Sequence, residues 1–175
     1  GAVTLGADTS LTSTSSGNLL FSSTVSGAYS LTTSTGGNTT FSGTVGGTPL
    51  TGLTITTAQL TAGAIALATT GTPALSITNS STGSITGIIS GTSATLTKAG
   101  AGTLVIAPPT SQVNGLAGIG MNSLSGQFVL NQGTVMLGAG IKNALQAGNQ
   151  FALISGVLDL NGNTQQLGAL FSDQN

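Results

Sequence analysis

The chain contains no histidine, no cysteine and no tryptophan, and only five of its 175 side chains are formally charged at neutral pH: Lys98, Lys142, Asp8, Asp159 and Asp173. Each absence removes a class of function. Without cysteine there is neither a disulfide framework nor a thiolate metal site, although the compartment stays open. Without histidine there is no Ser-His-Asp triad, and zinc loses both of its usual ligand types. Two lysines and a net charge of −1 give no basic footprint for nucleic acid. No apolar run reaches the 18 residues of a membrane helix, and no signal peptide is visible from Gly1. A secreted form would therefore be a processed chain or an excised fragment.

What is present is a polar but uncharged chain with a distributed apolar component. Charged residues make up 3% and hydrophobic residues 38%, whereas disordered segments pair low hydrophobicity with high net charge. Short apolar segments recur at Val3–Leu5, Leu19–Phe21, Leu53–Ile55, Ile65–Leu67, Leu75–Ile77, Ala94–Leu96, Leu104–Ile106, Phe128–Leu130, Val135–Leu137, Phe151–Leu153 and Leu158–Leu160. Most alternate apolar with small or polar residues, the strand pattern that buries one face. Gly, Ser, Asn and Thr clusters between them read as turns. The best helix candidate is Ile141–Ala147, one or two turns long.

The segments repeat. LFSSTVSG at 20–27 matches TFSGTVGG at 40–47, aligning Phe21 with Phe41, Val25 with Val45 and Gly27 with Gly47. FVLNQGTVML at 128–137 matches FALISGVLDL at 151–160, aligning Phe128 with Phe151, Leu130 with Leu153, Gly133 with Gly156 and Leu137 with Leu160. A variable period of about 20 to 25 residues is the signature of a solenoid. The expected fold is an all-β, right-handed parallel β-helix with coils of that length, and a β-sandwich is the alternative. Residues 1–175 read as a single β-helical segment, with Ser/Thr-rich coils over 1–90 and clearer long repeats over 91–175. Pro108–Pro109 opens a stretch, 108–123, that breaks the strand pattern and reads as a loop projecting from one coil.

Three phrases carry a family likeness: TKAGAGTLVI at 97–106, GQFVLNQGTVMLG at 126–138 and VLDLNGNTQQLGAL at 157–170. In this order they resemble the passenger-associated β-strand repeat of bacterial autotransporters, over about residues 95–170. The first half, in GAVTLGADTSLTS and SGAYSLTTSTGGNTTFSGTVGG, more loosely resembles the repeats of filamentous-haemagglutinin-type exoproteins. The resemblance implies a right-handed parallel β-helix, export across the outer membrane and a place on the cell surface. The chain departs from the family pattern at Pro108–Pro109 and the following loop, and where it stops at Asn175.

Sites for chemistry are sparse. Ser–Lys catalysis would have to use Thr97–Lys98 or Lys142, and each reads more simply as a solvated lysine at a turn. A carboxylate pair would need Asp159 with Asp8 or Asp173, but Asp159 reads as an outward residue between Leu158 and Leu160. Asn161–Gly162–Asn163 reads as a turn rather than as calcium ligands. The glycine-rich stretches Gly100–Gly102 and Gly115–Gly120 lack the Gly-Lys-Ser/Thr ending of a phosphate loop. Tyr29 alone offers an aromatic platform with a polar handle. The sequence therefore assigns no catalytic, cofactor-binding or metal residue. It points to a non-catalytic structural segment of a secreted bacterial surface protein, an adhesin stalk or fibre subunit. Its expected partners are copies of itself end to end or neighbouring coils of a longer chain, and host or bacterial surface glycans and proteins. The alternative is a glycan- or ligand-binding adhesin module that uses the loop at 108–123.

Overall fold

In a computed structural model describing residues 1–113 and 116–172, the chain winds into a parallel β-solenoid of about eight coils. It is all-β and consistent with a right-handed parallel β-helix, the hand that crossovers between parallel strands take. Three parallel sheets run its length. The first contains Val3–Thr4, Val25–Ser26, Val45–Leu50, Ile65–Leu67, Ile89–Gly91 and Ser123–Leu124. The second contains Thr9–Ser13, Ser30–Thr35, Gly52–Thr57, Ala74–Asn79, Thr95–Ala99, Phe128–Leu130, Gln150–Leu153 and Ala169–Ser172. The third contains Leu19–Phe21, Thr39–Phe41, Leu60–Ala62, Gly83–Ile85, Thr103–Ile106, Thr134–Leu137 and Val157–Asp159. Every neighbour within these sheets is parallel, so the sandwich alternative fails, because sandwiches are built from antiparallel strands.

The core consists of vertical columns, since equivalent residues of successive coils lie about 4.8 Å apart. In the second sheet, Leu31, Leu53, Leu75, Leu96, Phe128 and Phe151 stack in register. In the third, Phe21, Phe41, Ala62, Ile85, Ile106 and Leu137 do the same. Val25, Val45, Ile65 and Ile89 fill the first. The repeat alignment is realised as ring stacking: Phe21 on Phe41 at 4.6 Å between centroids, and Phe128 on Phe151 at 4.8 Å. All four rings are buried. Phe171, by contrast, pairs with Ala152 on the outward side and is exposed.

Two expected elements are corrected. Ile141–Ala147 is not a helix. It is a chain of turns and bends, with a single parallel bridge from Lys142 to Ile119. Side-chain amides replace the strand it might have formed: Asn122 accepts from the Ile89 N–H at 2.7 Å and donates to the Ala144 carbonyl at 2.6 Å. Gln165 likewise accepts from the Leu145 N–H and donates to the Leu145 carbonyl. Each amide presents a donor and an acceptor as a peptide unit would, so the ladder is carried on without a strand.

The stretch 108–123 is also more ordered than a loop. Thr110–Val113 and Leu116–Gly120 form an antiparallel hairpin. It is an insertion within one coil, which is why Leu96 and Phe128 are coil neighbours although 32 residues apart. Asn114 and Gly115 lie outside the described residues. The base of the hairpin is fixed by the Lys142 N–H to the Gly118 carbonyl at 2.7 Å and the Gly120 N–H to the Lys142 carbonyl at 2.8 Å.

Candidate functional site

The interior around Lys98 holds a cation where none is expected. Thr95–Ala99 alternates outward and inward, so Lys98 shares the inner face with Leu96. It occupies a column between Ile77 and Leu130 and is fully buried. The reading of a solvated lysine is thus overturned: strict alternation in TLTK was the available signal, and the side chain's charge masked it.

No carboxylate faces this ammonium among the described residues. Backbone carbonyls do. Lys98 Nζ donates to Ala99 and Gly100, the latter at 2.8 Å, and to Gln132 of the next coil at 3.3 Å. The position above Gly100 in the preceding coil is Asn79, whose amide donates to the Ser81 and Thr103 carbonyls. One and two coils further up, Thr57 and Thr35 donate to the Gly37 and Gly17 carbonyls. These groups form one internal polar column at the corner between the second and third sheets. Gly100 supplies no side chain there, and the Lys98 ammonium reaches into its layer instead. Gly133 completes the corner at φ 81°, where an added Cβ would strike the Gly100 and Gly102 carbonyls. Burial pushes the Lys98 ammonium down to about 8, so at neutral pH it still carries the proton that holds the cage together.

The other charged groups stand apart from it. Asp159 is exposed and accepts from the Asn161 N–H at 2.8 Å, as its outward place between Leu158 and Leu160 requires. Asp8 is exposed and accepts from the Ser30 N–H, a bond that draws its carboxyl below the usual range. Asp8 directly precedes Thr9–Ser13, the first strand of the second ladder, and Asp159 ends Val157–Asp159, the last strand of the third, so the two stand toward opposite ends of the coil stack. Asp173 lies outside the described residues. Lys142 is half-buried at the hairpin base. No three acidic or metal-ligating side chains come together among the described residues.

Asn161–Gly162–Asn163 is the expected turn, with Asn161 at φ 50° and Gly162 at φ 73°. Its amides bond back to the Leu137 and Gly138 carbonyls of the coil above, which is a structural task. Gly100–Gly102 likewise packs against Asn79 and Ser81 of the coil above. Part of Gly115–Gly120 falls on a residue outside the described set, and the rest is hairpin strand. Tyr29 is exposed and stands without a second aromatic beside it.

One larger opening remains. A cleft of about 420 Å³ at the last coils is lined by Phe151, Leu153, Leu158, Leu160, Leu167 and Leu170, among others. Leu170 continues the inner Phe128–Phe151 column yet is 61% exposed. Its lining is apolar except for Gln165, so it lacks the polar groups converging on one point that a reacting atom needs. No helix long and apolar enough to cross a membrane is found among the described residues. No protein-family model, curated protein sequence or solved structure matches the chain.

Proposed function

We propose that the chain is a non-catalytic structural segment of a secreted bacterial surface protein, serving as an adhesin stalk or a unit of an extracellular fibre. The supporting observation is the coil stack itself. The second and third ladders run in register through the described coils, from Thr9–Ser13 to Ala169–Ser172 and from Leu19–Phe21 to Val157–Asp159. Every pair in these two ladders is parallel, so the first strands, Thr9–Ser13 and Leu19–Phe21, run in the same direction as the last, Ala169–Ser172 and Val157–Asp159. One end can therefore continue the ladders of the other, and the apolar last coil gains burial when it does. A head-to-tail contact of this kind does not close on itself and generates a linear array. The likeness to the autotransporter passenger repeat favours an outer-surface location. A surface with almost no titratable groups also changes little with salt or pH, which suits external material.

The competing reading places a ligand site on the hairpin. Replacing residues 110–120 by a short glycine turn separates the two. The structural reading expects neither the parent nor the shortened chain to show saturable binding in a glycan screen. It also expects both to keep the same far-ultraviolet circular dichroism. Saturable binding by the parent that disappears in the shortened chain would establish the binding module instead.

A further inference from the structure

The outward face of the second sheet has a property that no other face shares. Its first five strands, Thr9–Ser13, Ser30–Thr35, Gly52–Thr57, Ala74–Asn79 and Thr95–Ala99, are five or six residues long, so each presents at least two outward side chains. One column reads Ser10, Thr32, Thr54, Ser76 and Thr97, and the other Thr12, Ser34, Thr56, Thr78 and Ala99. Nine of these ten positions carry a hydroxyl. The register is unbroken across the five strands, whereas the first sheet shifts between Ile65 and Leu67. The third sheet presents only a single outward column there, Leu20, Thr40, Thr61, Ser84 and Val105.

Among the described residues these hydroxyls make no hydrogen bond within the protein. Among the described residues, the hydroxyls engaged in hydrogen bonds belong to Thr9, Thr35, Thr57, Thr86 and Ser125, none of which is in the array. Nor does the array hold a charge: Lys98 points inward, and Asp8 sits at the margin, bonded to the Ser30 N–H. The result is a rigid two-dimensional grid of donors and acceptors. Its rows are about 4.8 Å apart and its columns about 6.6–6.8 Å apart, the strand spacing and the two-residue rise.

We propose that this face binds ice. A ligand that matches the grid must be uncharged, must donate and accept at every node, and must itself repeat in two dimensions at intervals of this order. The surface of crystalline water has all three properties. Six of the nine are threonines, each of which adds a methyl beside its hydroxyl that restrains the adjoining water while the hydroxyl anchors it. A single glycan strand repeats in one dimension only and is held through aromatic platforms and charged groups, both missing from the grid. The solenoid backbone fixes the hydroxyls before any contact forms, so little ordering cost remains at binding. This surface is independent of any end-to-end assembly.

The test uses the purified chain labelled at its N-terminal amine and frozen slowly into a growing single ice crystal, with an ice-recrystallisation assay alongside. The expected result is uptake of label into the ice and arrest of grain growth. Thr54→Lys combined with Thr56→Lys, at the centre of the grid, should abolish both. Thr61→Lys combined with Ser84→Lys, on the third sheet, should leave both intact. Thr54→Tyr, which adds bulk without charge, repeats the loss if the double lysine variant fails to fold, and circular dichroism confirms folding in every case. Exclusion of the parent chain from ice overturns the proposal. So does equal loss in the third-sheet variant, or adsorption to crystalline polysaccharide without adsorption to ice.

Discussion

Phe151→Asp lowers the melting temperature by at least about 10 °C, while Phe171→Asp, twenty residues further on, leaves it unchanged. Phe151 is fully buried and stacks on Phe128. Truncating a buried phenylalanine costs about 3–5 kcal/mol, and placing a carboxylate among Leu130, Leu153 and Phe128 adds a desolvation penalty with no cation to offset it. At roughly 2–4 °C per kcal/mol for a chain of this size, the sum exceeds about 10 °C. The coils contact only their neighbours, so the damage spreads from that coil into the ones above and below. Phe171 lies on the outward side beside Ala152 and is 49% exposed, so a carboxylate there stays in water. Equal melting of Phe151→Asp and the parent, followed by circular dichroism, would refute the inward column.

Lys98 carries the second large effect. Lys98→Ala removes a buried four-carbon stem and leaves three carbonyls, those of Ala99, Gly100 and Gln132, without their donor. The cavity and the unpaired acceptors together cost about 3–5 kcal/mol, measured as a fall in the urea midpoint. The same residue sets a pH dependence of unusual sign. Its folded-state value of about 8 lies below the 10.5 of the unfolded chain. Between those two values the unfolded chain holds more protons, and stability therefore rises as pH increases from about 8 to about 10.5. Lys98→Met, which cannot titrate, flattens that rise. A parent chain whose urea midpoint falls across this window would contradict a buried Lys98.

The same two residues show how far the sequence could be read. The phenylalanine offsets of 20 and 23 residues were legible because a solenoid repeats chemistry at fixed positions, and the rings then stack in the structure. The parallel β-helix followed from those offsets. Strands such as Thr9–Ser13 and Ser30–Thr35 show no apolar alternation because each has a single leucine, and threonine and serine occupy the rest of both faces. With Thr33 and Thr35 buried among the inner columns, polarity ceases to mark the outside, and alternation alone loses its contrast. Lys98 failed for the opposite reason: alternation placed it inside, but its charge argued for solvent, and only the carbonyls of two coils brought together by folding resolve the conflict. Ile141–Ala147 carries helix-permissive residues without strand alternation. Its conformation is decided by Asn122 and Gln165, partners about 20 residues away that local propensity does not see. The grid of outward hydroxyls was present in the sequence as Ser/Thr richness, yet its two-dimensional order appears only once register is known.

Negative-stain electron microscopy of the purified chain over a concentration series tests the structural reading most directly. Filaments of one-solenoid width that lengthen with concentration are expected, because the free ladder edges and the apolar last coil of one copy meet the first coil of the next. Isolated particles of monomer size at every concentration would contradict end-to-end assembly.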